Sequence, residues 1–421
     1  MPDGSSTAHL YRPKLATIFA EGYGIAAFRR DAMAALTVAI VALPLSMAIA
    51  VASGVTPDRG LYAAIVGGFL VSALGGSRFQ IGGPAGAFIV LVAATVAKVG
   101  VDGLLVTVLL SGLLLTLLGV SRIGSLIRYV PHGVIVGFTC GIAVIILASQ
   151  LKDLGGLSLT GPEPGPLLPK LFALGMALPT ISGTSFAVGL SCAILIFALH
   201  RWRPNWPAML IAVLAASLAT FLFHLPIETI GTRFGGVPSG LPFPKLPDIT
   251  PQVLWQIAPE VLAFTLLGGI ESLLSAKVAD GMTGRKHSSN MELVAQGIAN
   301  MASSLFGGIS VTGTIARTAT NVKAGARSPI AGMLHSFFLL LFMLVAAPLA
   351  SFIPLAALAG VLVFVSVNMF DGKEFVLLLR DWRTAAVLLV TFGLTLAKDL
   401  TLGIVAGCVV AAALALAHRS R

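Results

Sequence analysis

Residues 307–325 read "GGISVTGTIARTATNVKAG", and the reading of this stretch decides the fold. Five hydroxyl residues and Arg317 stand between "GIANMASSLF" (297–306) and "SPIAGMLHSFFLLLFMLVAAPLA" (328–350), two runs suited to a membrane interior. An earlier stretch, "FQIGGPAGAFIV" (79–90), has the same form: a β-like start that turns helical at a glycine or proline. Irregular backbone at membrane depth is tolerated only where it is buried in protein or lines a cavity. A helix that begins there has first-turn N–H groups without intrahelical partners, and it carries the positive end of its dipole. Two such starts facing each other form an anion site without a metal. Thr312 and Thr314 are candidate hydroxyl donors, and Arg317 adds a full charge one turn into the second helix.

The rest of the chain supplies the membrane. Of 421 residues, 57% are hydrophobic and 10% charged, with a mean hydropathy of +0.96; a soluble domain carries about 25% charged residues. About 14 apolar segments follow one another, starting near Ala32, Leu61, Pro84, Leu104, Val130, Ser185, Ala208, Val261, Leu293, Thr314, Ile330, Leu355, Thr384 and Leu400. Their length fits helices across a bilayer, and the ~10-residue alternation of a membrane β-barrel is missing. No cleavable signal peptide is expected, because the first apolar run is long enough to span. The cysteines Cys140, Cys192 and Cys408 sit in apolar runs at unrelated spacings and read as packing residues rather than metal ligands.

The net charge of +10 is topology rather than a nucleic-acid footprint. With the N-terminus inside, Arg12, Arg29, Arg30, Arg78, Arg122, Arg128, Arg201, Arg203, Arg285, Lys286, Arg327, Arg380 and Arg421 fall on the cytoplasmic side. Fewer basic residues, among them Arg59, Lys98, Lys152, Lys170 and Arg233, fall outside, as the positive-inside rule requires. Two Pro/Gly-rich stretches, 150–183 and 225–255, read as irregular external loops.

The second loop divides the chain into halves that match. Pro44 to Gly86 spans 42 positions, as does Glu271 to Gly313. Short Gly/Pro-interrupted segments at corresponding places mark a binding site at a repeat interface. Seven segments per half make the repeats inverted.

The elements "TVAIVALPLSMAIA", "IGGPAGAFIV", "GGIESLLSAKVADG" and "GGISVTGTIARTATNVKAG" resemble, in order and spacing over nearly the whole chain, the sulfate permease family of anion transporters. The resemblance implies an all-α polytopic fold of fourteen segments in two inverted seven-segment repeats. It predicts a cytosolic segment 1–30, a first repeat 31–224, an external linker 225–255 and a second repeat 256–418. Segments 1–4 and 8–11 would form a core, 5–7 and 12–14 a gate. The anion site then falls on Ala85, Gly86 and Ala87 opposite Thr314, Ile315, Ala316 and Arg317, with Leu45 and Ile49 from the first segment. Leu45 stands where family members often carry glutamine, and alanines replace a Phe or Thr at the third-segment contacts. The family's STAS domain is expected to be missing, since the sequence stops at "AHRSR".

Two residues keep two readings. Arg317 is either an anion ligand or a structural cation paired with carbonyls. Glu271 is either a coupling carboxylate or a hydrogen-bond partner of the broken helix. Lys277 and Asp280 read as structural, and Asp399 as the cap of the last helix. His132, His200, His287 and His418 lie at the predicted boundary and are weak candidates for a proton relay. No GxxxxGK[ST], HExxH or GxSxG supports an ATP-driven pump or a hydrolase, so an enzyme is not expected. The expected function is secondary active transport of a small anion, with sulfate or a dicarboxylate such as fumarate as substrate and a proton as coupling ion. Alternatives are sodium-coupled bicarbonate uptake and an anion channel or exchanger on the same scaffold. The expected setting is the inner membrane with both termini cytoplasmic. The partners are the anion, the proton or sodium ion and lipid, with a homodimer left open. No cofactor, metal or nucleic acid is expected.

Overall fold

The computed structural model describes residues 11–122, 131–161, 163–164, 166–204, 206–398 and 400–419. Asp399, Arg128, Arg421, the Val130 segment start and the side chain of His418 lie outside the described residues. The described chain is helical apart from two short strands. In order it runs α1 (Lys14–Glu21), α2 (Ile25–Ala52), α3 (Pro57–Tyr62), a π-helical turn (Ala63–Gly67), α4 (Gly68–Leu74), β1 (Gly82–Gly83), a 3₁₀ turn (Gly86–Phe88) and α5 (Ile89–Val120). Then come α6 (His132–Gly155), α7 (Leu167–Met176), α8 (Gly183–Trp202), α9 (Ala208–Leu222), α10 (Ile230–Phe234), α11 (Pro251–Thr283) and α12 (Ser289–Leu305). The last elements are β2 (Thr312–Gly313), α13 (Ile315–Lys323), α14 (Ile330–Ala350), α15 (Leu355–Met369), α16 (Gly372–Leu378), α17 (Trp382–Ala397) and α18 (Leu400–Arg419). Among the described residues, seven helices are long and apolar enough to cross a membrane.

Helix ends depart from the expected segment starts where hydropathy marks the bilayer rather than the helix. The helix expected at Ala32 begins at Ile25, through Arg29, Arg30 and Asp31, so the predicted cytosolic segment holds α1 and the first turns of α2. The helix expected near Val261 begins at Pro251, a proline in the first turn where its missing N–H is not needed. The two stretches expected to be irregular loops contain helix. α6 runs on to Gly155 and stops at left-handed Gly156 (φ 57°). Within the first loop α7 is anchored by Lys170, which reaches Ser149 (2.6 Å) and Glu163 (2.5 Å). The second loop contains α10, held by reciprocal bonds between Thr229 and Thr232. α5 is broken at Gly100, whose φ of 73° interrupts an otherwise continuous 32-residue helix.

Small residues set the closest crossings. A Cβ on Gly112 of α5 would lie 2.6 Å from the Gly297 carbonyl oxygen of α12, and one on Gly297 would lie 2.4 Å from that of Gly112. Backbone-to-backbone approach of this kind is how helices associate when lipid supplies no hydrophobic drive.

The two broken stretches meet at the centre. β1 pairs antiparallel with β2, Gly82 opposite Gly313 and Gly83 opposite Thr312. Two strands of two residues satisfy few backbone groups, and side chains supply the remainder. Asn300 Nδ2 donates to Val311 O (2.8 Å) while Val311 N donates to Asn300 Oδ1 (2.9 Å). Gln296 Nε2 also donates to Val311 O, and Ser303 Oγ donates to Ile309 O (2.7 Å). For the first stretch, Ile81 N donates to Thr318 Oγ1 (3.1 Å) and Asn321 Nδ2 to Phe79 O (2.9 Å). Each broken stretch is thus held by polar side chains from another element.

Replacing Asn300 by Leu removes the acceptor of a buried N–H and should lower stability by about 1–3 kcal/mol. Thr320→Ala, which deletes an exposed hydroxyl bonded to its own helix, should stay within about 0.5 kcal/mol. Thermal unfolding of the detergent-solubilised protein measures both; equal melting points for the two variants would refute the role given to Asn300.

Candidate functional site

Both helix starts lie where the sequence places them. Ala85 is the extended residue before the 3₁₀ turn, and Thr314 is the extended residue before α13. The two starts are tied through Ile81, whose carbonyl accepts from Thr314 N (3.0 Å) and from Thr314 Oγ1 (3.3 Å). Ala85, Ala87, Leu45 and Ile49 are buried in one apolar cluster. Thr314 and Arg317 are buried, whereas Ile315 is 40% exposed. The first-turn N–H groups of α13, from Ile315 to Arg317, have no intrahelical acceptor by the geometry of a helix start.

The threonines differ from expectation. Thr312 Oγ1 donates to Gly268 O (3.3 Å) and Thr314 Oγ1 to Ile81 O. Both hydroxyl protons serve the broken backbone, because an unpaired carbonyl at this depth costs more than a free hydroxyl gains. The donors left without a protein acceptor here are the first-turn N–H groups of α13 and two nitrogens of Arg317.

Arg317 is 2% exposed. Nη2 donates to Ser46 Oγ of α2 (3.2 Å), and Nε and Nη1 have no hydrogen-bond partner. It forms no ion pair among the described residues. A guanidinium offers five N–H donors in a fixed fork that matches carboxylate and other oxyanion geometry. Gly83 packs directly on it: a Cβ there would lie 2.0 Å from Nη1. Gly86, a site residue by the family resemblance, has more room. A Cβ on Gly86 meets only Val365, Ile146 and Met369 at 3.7–4.0 Å. The steric constraint therefore sits at Gly83, and Gly86 faces α6 and α15.

Glu271 lies elsewhere on α11. It lines a small cavity with Val134, Phe138 and Thr139 of α6 and Ile404 of α18. Its neighbour Ser272 faces the broken stretches, bonding Gln80 Nε2 (2.8 Å) and Gln296 Oε1 (3.0 Å). Glu271 and Arg317 form no ion pair. The histidines are engaged in part: His287 Nδ1 is 2.7 Å from Asp280 Oδ2, and His132 Nε2 is 3.0 Å from Glu374 Oε1.

Sequence reading missed four groups: Ser46 and Gly83 at Arg317, His335 on α14 and Glu292 near the start of α12. Ser46 and Gly83 have no local signature. Glu292 is buried, its Oε2 accepting from Ser77 N (2.9 Å) and its Oε1 unpartnered. His335 of α14 is buried with both ring nitrogens unpartnered. A signal did exist for α12: Glu292, Gln296, Asn300 and Ser303 recur at helical spacing, a polar stripe on one face of a buried helix.

The sequence profile described as the sulfate permease family matches residues 28–392. The putative sulfate transporter YvdB of Bacillus subtilis is 40% identical over 393 residues, 93% of this chain and 74% of that protein. The bicarbonate transporter BicA of Picosynechococcus is 32% identical over 354 residues, 82% of this chain and 62% of that protein. The solved transmembrane domain of a cyanobacterial BicA superposes with a TM-score of 0.79 at 28% identity, covering 92% of this chain and 98% of that one. The structure of SLC26A9 shares the fold, with a TM-score of 0.89 at 18% identity over 98% of this chain and 69% of that one.

Gly83→Ala should push the Arg317 guanidinium aside without unfolding the protein, since the clash is with the end of a flexible side chain. Gly86→Ala should be tolerated. Substrate affinity in detergent, measured by calorimetry, should fall at least about tenfold for the first and less than about twofold for the second. The reverse order would contradict the placement of the guanidinium.

Proposed function

The chain belongs to the sulfate permease family, and from that membership we propose that it is a secondary active transporter of a small oxyanion. The observation that carries this reading is Arg317: a buried guanidinium with two unpartnered nitrogens beside the start of α13. A buried charge without a partner persists where a ligand completes it.

We take α3 and α4 as one segment, divide α5 at Gly100 and leave out the short α1, α7, α10 and α16 as non-spanning, which gives fourteen segments, read as two inverted repeats of seven. α12 packs on α5 and α14 on α2, as a core would; α15 and α17 pack on α6, as a gate would. Gly86 then presents the helix start to the gate residues Val365, Met369 and Ile146. The anion sits between core and gate, and the core moves against the gate to expose it alternately on either side. Both termini are assigned to the cytoplasm by the positive-inside rule.

For coupling we assign a proton to Glu271. Its cavity lies between α11 of the core and α6 and α18 of the gate, the surface that must slide. A proton carried there offsets part of the charge of the anion as the loaded core crosses. The substrate class is a divalent oxyanion, sulfate or a dicarboxylate. Sulfate is favoured by the similarity to YvdB. Sodium-coupled bicarbonate uptake is the second reading, favoured by the similarity to BicA.

Arg317→Ala should insert and fold normally yet bind substrate about 10- to 150-fold more weakly, the loss of a charge-assisted hydrogen bond of about 1.5–3 kcal/mol. Radiolabelled uptake of sulfate, fumarate and bicarbonate into proteoliposomes measures this, and wild-type affinity in the folded variant would exclude Arg317 from the site. Glu271→Gln should retain anion exchange and lose accumulation driven by a pH gradient. An internal pH dye reads proton influx; undiminished influx in Glu271→Gln would move the coupling role to another residue. A strict requirement for external sodium would select the second reading.

A further inference from the structure

A second basic site lies away from the centre, at the end of the molecule where α2 begins. A cavity of about 360 Å³ opens between α1, the start of α2, the turn before β1, and the loops that precede α12 and α14. Its charged lining is Arg30, Arg78, Arg285 and Arg327 against one carboxylate, Glu21. Arg78 grips both oxygens of Glu21, one of them at 2.7 Å. That hydrogen bond holds the Glu21 carboxyl below its usual range, so it stays ionised at neutral pH. The Asp31 carboxylate lies behind the lining, fully buried, and its oxygens are taken up by Tyr23 Oη (2.7 Å), Arg327 N (2.6 Å) and Ser328 N (3.2 Å). Arg30, Arg285 and Arg327 form no ion pair among the described residues. Four guanidinium groups from four separate parts of the chain therefore converge on one cavity with a single acid among them.

The surroundings select what fills it. Phe19 of α1 and Ile25, Phe28 and Met33 of α2 are exposed on the two helices that contribute to the cavity wall. α1 exposes Phe19 and buries Ile18, and an exposed aromatic on a short amphipathic helix suits the membrane interface. The apolar run of α2 begins at Ala32, so Arg30 stands at headgroup depth whichever side of the membrane this end faces. Acyl chains fit the apolar rim, and guanidinium groups pair with phosphate oxygens in bidentate fashion.

We propose that this cavity binds the phosphate headgroup of an anionic phospholipid, with Arg30, Arg285 and Arg327 as ligands and the Arg78–Glu21 pair as the strut that holds α1 over it. The site is separate from the anion site at Arg317, and lipid bound there clamps α1 against the loops before α12 and α14.

The test uses the full chain in neutral detergent with three probes: dioctanoyl phosphatidylglycerol, dioctanoyl phosphatidylcholine and inorganic phosphate. Native mass spectrometry and thermophoresis read binding. Phosphatidylglycerol should bind at least about tenfold more tightly than phosphatidylcholine. Arg285→Gln/Arg327→Gln should lose at least about tenfold of that affinity, and Phe19→Ser/Phe28→Ser should weaken it while elution in gel filtration stays monodisperse. Should the double arginine variant fail to fold, Arg30→Gln carries the same expectation at a smaller loss. Equal phosphatidylglycerol binding by wild type and folded arginine variants overturns the site. Inorganic phosphate binding as tightly as the lipid, with the same loss in the arginine variants, overturns the lipid assignment in favour of a soluble phosphate ligand.

Discussion

Backbone polarity without water is the constraint on which this structure rests. Around residues 79–83 and 309–313 the chain is extended rather than helical, and its peptide groups must find partners inside the protein. The short ladder of Gly82 with Gly313 and Gly83 with Thr312 satisfies only part of them. Thr314 and Thr318 then close on Ile81, Asn321 on Phe79, and Asn300 and Gln296 on Val311. Because the two stretches are partners of one another, the helix starts that follow them are held in a fixed relation. The relative placement of the two helix starts is thus a by-product of hydrogen-bond satisfaction.

Arg317 gains its character from the same arrangement. The guanidinium lies against Gly83 because β1 brings glycine, and only glycine, under it. Ser46 reaches it from the turn after Pro44 in α2, a helix interior where proline has no N–H to donate to the preceding turn. The acids are placed apart: Glu292 accepts from Ser77, Asp31 from Ser328, and Glu271 looks into the seam between α11 and α6. Arg317 is left without an ion pair among the described residues.

Much of this was legible in the sequence. The two broken stretches follow from Gly/Pro interruptions inside apolar runs, Arg317 stands out as a charge within one of them, and the family was legible from the resemblance of four motifs. What was not legible depends on pairing across long separations. The use of Thr312 and Thr314 hydroxyls by Gly268 and Ile81 cannot be read from a threonine's neighbours. Neither can the contrast between Gly83, crowded by a side chain from residue 317, and Gly86, which has space. Glu271 was placed on the right helix, but its facing required the packing of α6 and α18. Helix ends were blurred because hydropathy marks where lipid begins, and α2 and α11 continue past that level.

The bond from Asn321 to Phe79 joins residues 242 positions apart. A ribosome adds about 5–20 residues per second, so roughly 10–50 s separate the emergence of the first extended stretch from that of its partner. Through that interval Phe79 and Ile81 hold peptide groups that lipid cannot satisfy, and the nascent first half must keep them against water or the insertion machinery. Biogenesis of this protein is therefore a matter of timing: the first half enters the membrane as an unfinished hydrogen-bonded surface, and synthesis of α13 completes it.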